Sequence, residues 1–243
     1  MSEWELLIIA VAAVLTAAIT AVAGAGGGVV LLVVILQFED PLIAVPAHGV
    51  IQLVSNGTRA VTLRDAAETR LLRWYVPLLV PGTIVGYLVA DSIPRDGGRA
   101  IIGAFALLAV WWPAATAWLA PRGGSHRRLT LLGGFNGLLN PTIGATGPLI
   151  APAFRTITAD HVSFVATFAV VQVINHIAKV AVFGIAGFAF REHLPMILIA
   201  SVGVFVGTRI GARYLKRWDP EKLGLLFQVA VTAGAVRLLV GVL

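Results

Sequence analysis

The sequence predicts an all-α, polytopic transmembrane fold built as two inverted-topology repeats, each opening with a broken helix or helical hairpin. Three observations carry this. Of 243 residues, 58% are hydrophobic and 12% charged, with mean hydropathy +0.90, whereas a soluble domain carries roughly 25% charged residues. Apolar runs of span length are interrupted by glycine near 24–28 and again near 144–147. Polar and glycine positions inside those runs recur at an offset of 120 residues: Gly24 with Gly144, Gly27 with Gly147, Gln52 with Gln172, Asn56 with His176, and Arg59 with Lys179. Two repeats, 1–121 and 122–243, follow from that register.

Residues 6–22 form a first apolar helix that four glycines within 24–28 stop, since each Gly costs about 1 kcal/mol in a helix interior. Residues 29–37 are too few to span a bilayer, which takes about 20 residues as helix. They read as a half-length helix starting at membrane depth. A turn with Glu39, Asp40 and Pro41 leads to a span at 46–63. Residues 64–73 read as an interfacial helix, with Trp74 and Tyr75 at the membrane–water boundary. Spans follow at 76–93 and 100–120, carrying Pro77, Pro81 and Pro113. The second repeat has a helix at 129–139, a break at 140–148, and a half-helix to about 154. Spans follow at 162–189, 194–214 and 223–242, the first over-long and so tilted or split near Gly184 and Gly187.

The formal net charge of +6 lies between the apolar runs, where topology rules place basic residues, and does not imply a nucleic acid partner. One threading puts Arg64, Arg70 and Arg73, Arg122, Arg127 and Arg128, Arg155, and Arg213, Lys216, Arg217 and Lys222 on the cytoplasmic side of a cell inner membrane. Each repeat then crosses an odd number of times, which inverts one against the other. With no cysteine, disulfides and thiolate metal sites are excluded. The glycine stretch lacks the Lys-Ser/Thr of a phosphate loop, and no enzyme, cofactor or metal constellation is expected. The acidic start, Met-Ser-Glu-Trp-Glu, does not look like a cleaved leader.

The candidate site residues fall in two groups. Gly26, Gly27 and Gly28, with Thr146 and Gly147, begin the two half-helices, whose free N–H groups and dipoles favour an anion. Small residues at these breaks would equally serve close helix packing. Gln52, Asn56 and Arg59 share one helical face, and Gln172, His176 and Lys179 repeat it, with Asn175 beside them. No acidic residue inside the spans pairs with Arg59 or Lys179, so a transported anion could balance them; snorkelling to the interface is the alternative. His48 reads as a plain hydrogen-bonding group, and His176 as a possible proton-linked member. His126, His161 and His193 read as solvated.

The glycine-rich segments Gly24–Gly28 and Gly133-Gly134-Phe135-Asn136-Gly137 running into Gly144–Pro148, with Gly211-Ala212-Arg213 before a basic stretch and a last span, resemble the TauE/SafE (TSUP) sulfite exporter family. The resemblance covers nearly the whole chain. It departs at Asn140-Pro141-Thr142, where the family has a glycine-rich aliphatic stretch. It implies a secondary transporter, exporting or exchanging sulfite or organosulfonates, with lipid as surroundings and protons as a possible coupling ion. A channel with the same donors, or a carrier of another organic anion, is the alternative. The small face Gly203/Gly207/Gly211 would pack within one chain or in a homodimer.

Overall fold

The computed structural model describes residues 1–112, 126–214 and 220–241, which are helical with no strand among them. In order they form α1 (Glu3–Ala23), α2 (Gly27–Ile35), α3 (Pro41–Thr62), α4 (Leu72–Asp91), α5 (Arg95–Trp111), α6 (His126–Ile143), α7 (Gly147–Arg155), α8 (His161–Ile185), α9 (Leu194–Tyr214) and α10 (Pro220–Val240). Four helical stretches are long and apolar enough to cross a membrane: Glu3–Ala23, Thr69–Asp91, His161–Ile185 and Phe190–Tyr214. Large apolar side chains such as Leu15, Leu88 and Val202 stand exposed on them, as lipid-facing residues do. The chain is a multi-pass membrane protein. Pro113, Arg122, Lys216, Arg217 and most of the join between the expected repeats lie outside the described residues.

Each break is a hairpin elbow. α1 starts with a capping box, in which Glu5 accepts from the Ser2 N–H at 2.7 Å. It stops at Gly24, whose φ of +86° suits glycine alone and whose N–H returns to Thr20 O at 2.8 Å. The chain then doubles back. A Cβ at Gly27 would lie 2.1 Å from Thr16 O, so α2 runs along α1. Beyond α2, Glu39 shares a pocket with Met1 and Leu6 at the start of α1. α6 stops in the same way at Gly144, with φ +81° and its N–H on Asn140 O at 2.8 Å. α7 turns back from there but packs on α8, not along α6. Phe154 near the end of α7 meets Tyr75 edge-on at 5.5 Å, and His126 at the start of α6 stacks on Trp74 at 4.5 Å.

Several expectations need correction. The second break is 144–146, not 140–148. Asn140, Pro141 and Thr142 remain helical, and the Thr142 hydroxyl donates to Gly86 O of α4 at 3.2 Å. Residues 64–73 are not one interfacial helix but two 3-10 turns, Arg64–Ala66 and Thr69–Leu71. Between them Glu68 is pinned: its N–H donates to Thr167 Oγ1 and its Oε1 accepts from the Ala159 N–H, both at 2.8 Å. α8 neither splits at Gly184 nor reaches 189; it ends at Ile185, and Gly187 (φ +92°) turns the chain. α3 starts at Pro41, which suits a first helical position, rather than at Pro46. Tyr75, in the first turn of α4, is fully buried inside the protein, its hydroxyl on Asn175 Oδ1 of α8. His161 is not solvated: its Nε2 lies 2.8 Å from Val22 O.

Between helices, glycine stripes set the spacing. α1 lies along α9, and α4 along α6. A Cβ at Gly207 would sit 2.1 Å from Val14 O, and one at Gly133 would sit 1.9 Å from Tyr75 O. No other side chain permits backbones so close. The face Gly203/Gly207/Gly211 is therefore occupied within the chain, against α1. These outer pairs hold α3 and α8 against each other in the middle, and both carry the polar stripes.

Candidate functional site

α2 and α7 begin on the wall of one cavity. Gly26 and Gly28 come from the first elbow, Ala145 and Gly147 from the second. α3 adds His48, Gln52, Asn56 and Arg59; α8 adds Phe168, Gln172 and His176. The cavity is ≈ 20 Å³, room for about one water molecule. Among the described residues, no carboxylate lines it.

The first N–H groups of a helix lack intrahelical acceptors and carry the positive end of its dipole. Neither helix caps them with a side chain: Gly26 has none, and Thr146 makes no capping bond. Val29 N–H turns back to Gly26 O at 2.8 Å, and Leu149 N–H to Thr146 O at 3.0 Å. Gly28 and Gly147 thus bring helix-start amides to the cavity wall. Their glycine identity also lets the two glutamines in: Cβ atoms there would lie 3.3 Å from Gln52 Nε2 and 3.0 Å from Gln172 Nε2.

Two hydrogen-bond chains fix which end of each glutamine is free. Arg59 donates to Asn56 Oδ1 through Nη2 and to Thr20 O through Nη1 at 2.7 Å. Asn56 Nδ2 donates in turn to Gln52 Oε1 at 3.3 Å and Gln52 O at 2.9 Å. On the other side the Tyr75 hydroxyl donates to Asn175 Oδ1 at 3.0 Å, and Asn175 Nδ2 to Gln172 Oε1 at 2.6 Å. In each chain the glutamine's oxygen is turned to an asparagine NH₂ group. What remains for the cavity is an NH₂ group, a donor. Backbone amides, amide NH₂ groups and a guanidinium make a wall suited to an acceptor-rich anion.

Among the described residues the buried charges have no counter-ion. Ion pairs among the described residues join Arg64 to Asp65, Arg70 to Glu68, and Asp40 to both Arg95 and Arg99; none includes Arg59 or Lys179. Both are buried, and an unbalanced cation at membrane depth is expensive unless it serves a ligand or partner. Arg59 lines the cavity. Lys179 does not: its Nζ donates to Gly144 O at 2.7 Å. Gly27, Thr146 and Asn175 also stand off the wall, Gly27 packed on α1 and Asn175 acting through Gln172. Gly26, Gly28, Gln52, Asn56, Arg59, Gly147, Gln172 and His176 are the expected residues that the fold brings together.

Sequence reasoning undervalued two residues. His48 is on the wall, with Nε2–H donating to Gly28 O at 2.8 Å, its Nδ1 unpartnered, and its ring 6.0 Å from that of His176. Its place one helical turn before Gln52 on the same face was the available signal. Tyr75 acts from α4, and no spacing rule within α3 or α8 reaches it.

A multi-pass helical protein whose buried, carboxylate-free cavity is walled by two broken helices belongs, by architecture, to the membrane transport proteins. The family model described as sulfite exporter TauE/SafE matches residues 9–238, and the chain belongs to that family. No curated protein and no solved structure matches it.

Proposed function

We propose that this protein is a secondary transporter, exporting small sulfur oxyanions such as sulfite or organosulfonates across a cell inner membrane. The anion binds between the N-termini of α2 and α7, against Arg59 and the NH₂ groups of Gln52 and Gln172. The observation that carries this reading is the wall itself: both helix starts and a buried guanidinium share one cavity without a carboxylate. Mostly neutral donors hold a dianion without trapping it. Rocking of one repeat, 1–121, against the other, 122–243, exposes the site alternately. Support for the repeat comes from the helix starts: α2 at Gly27 and α7 at Gly147, and α3 at Pro41 and α8 at His161, lie 120 residues apart. His48 and His176 are the groups through which a proton would accompany the anion.

The test is counterflow in proteoliposomes. Labelled sulfite should accumulate transiently against excess unlabelled sulfite inside, with saturable rates. Flux linear in concentration and without counterflow would mean a channel instead. Binding to the purified protein should rank sulfite and sulfonates above chloride; a preference for cations would end the reading.

A further inference from the structure

A second cavity lies on the side of Asp40. Pro41, Val45, Arg95, Gly98, Thr142 and Phe183 are among its lining residues, and it too measures ≈ 20 Å³. α3 and α8 run past both cavities. On α3, Pro41 and Val45 line the second, and His48, Gln52 and Asn56 the central one; on α8, Phe183 lines the second, and His176 and Gln172 the central one. The two spaces are stacked along the same pair of helices.

The second elbow lies between them. Thr142 faces the second cavity and Ala145 the central one. Gly144 is wedged so tightly that a Cβ would meet Leu32 Cδ2 at 2.6 Å and Val45 Cγ2 at 3.0 Å. Lys179 sits at the same level, in sequence between His176 and Phe183. Its stem passes Gly49, where a Cβ would be 2.9 Å from Cε, and its Nζ holds Gly144 O. That single bond joins the buried cation of α8 to the partition. Arg95, paired with Asp40 at 2.9 Å, places positive charge on the wall of the second cavity.

We propose that the second cavity is the vestibule through which the anion passes on the Asp40 face, and that Lys179 is the bolt of the partition, holding the second elbow shut by its bond to Gly144. The inference rests on the anion-carrier reading, but its test measures access rather than flux. The chain has no cysteine, so Thr142→Cys and Ala145→Cys each supply a sole thiol. Both are treated with a charged, membrane-impermeant methanethiosulfonate in vesicles whose Asp40 face is outward, an orientation checked with Ser92→Cys. Thr142→Cys should react, and Ala145→Cys should react at least tenfold more slowly. Adding Lys179→Met should raise the rate at Ala145→Cys tenfold or more, while Lys179→Arg, which keeps a donor, should not. Gly49→Ala, which displaces the lysine stem and keeps its charge, should raise it too and serves where Lys179→Met does not fold. Equal reactivity of the two thiols in the parent, or no acceleration by either Lys179→Met or Gly49→Ala, overturns the proposal. Sulfite counterflow that persists with such a result leaves the carrier reading standing; labelling as expected without counterflow sinks the carrier reading alone.

Discussion

At the first elbow the cation faces the cavity; at the second it faces the hinge. Arg59 and Lys179 stand 120 residues apart on α3 and α8, and both are buried among helix-end carbonyls. Yet Arg59 lines the central space, whereas Lys179 is spent on Gly144 O. Their surroundings differ in the same sense. At the first elbow Ala23 and Ala25 are only half-buried; at the second, Ile143 through Gly147 are all buried. His48 on α3 answers to Phe168 on α8, and both line the cavity. One backbone device has therefore been given two uses, a wall on one side and a closure on the other.

The largest test of that difference is charge removal. Arg59→Met should weaken sulfite binding roughly 100-fold, about 3 kcal/mol for a buried, charge-assisted contact. Lys179→Met should change equilibrium affinity by less than about fivefold, because its ammonium is off the wall. Titration calorimetry on purified protein reads both, and equal losses would erase the distinction between the elbows.

Next comes the backbone. Gly24→Ala and Gly144→Ala each force a side chain into left-handed φ, about 1–2 kcal/mol before any clash. Both should lower the melting temperature by several degrees. Gly24→Ala should cost at least as much as Gly144→Ala, since its Cβ would meet the stiff ring of Phe164 at 2.5 Å, whereas at Gly144 the nearest atoms are the movable branches of Leu32 at 2.6 Å and Val45 at 3.0 Å. A clearly larger loss for Gly144→Ala in a thermal melt would contradict that reading of the two elbows.

Tyr75→Phe separates the two hydrogen-bond chains. It removes the donor to Asn175 and frees Gln172 to rotate, so sulfite affinity should fall about 5- to 10-fold, near 1–1.5 kcal/mol, with the melting temperature moving little. An affinity unchanged by Tyr75→Phe would show that Gln172 is not oriented this way.

The smallest effect concerns the aspartates that open α3 and α8. Asp160 caps α8 through the Ser163 N–H at 2.8 Å, and that bond holds its carboxyl below the usual carboxylate range. Its contribution is therefore complete above the unfolded-state pKa and disappears as pH falls through the lowered folded value. Asp160→Asn should lower the melting temperature slightly at pH 7 and have no effect at strongly acid pH. Asp40 makes no cap and instead pairs with Arg95 and Arg99, so Asp40→Asn should show a salt-sensitive loss that Asp160→Asn lacks.

Much of this was legible in the chain. Glycine at 24–28 and at 144–147 marks both elbows because helical interiors reject it, and the polar face at Gln52, Asn56 and Arg59 survives folding intact. The missing parts are tertiary. Lys179 looks like a ligand by spacing, and only the depth of Gly144 beside it turns it toward the hinge. Tyr75 reads as a boundary aromatic, and its bond to Asn175 shows only once α8 is laid against α4. Asn140-Pro141 suggests a break, but the helix runs on to Ile143 and closes only where the Gly144 N–H returns to Asn140 O.

The close fit of Gly207 on Val14 has a bearing on biogenesis. α1 is made first, and its mate α9 emerges nearly 200 residues later; α4 waits in the same way for α6. Until then the grooves that glycine opens have only lipid to fill them. Neither half buries its own seams, so a fragment stopping at the join would insert and yet fail to assemble. Co-expressed fragments, by contrast, have every complementary surface they need to find each other.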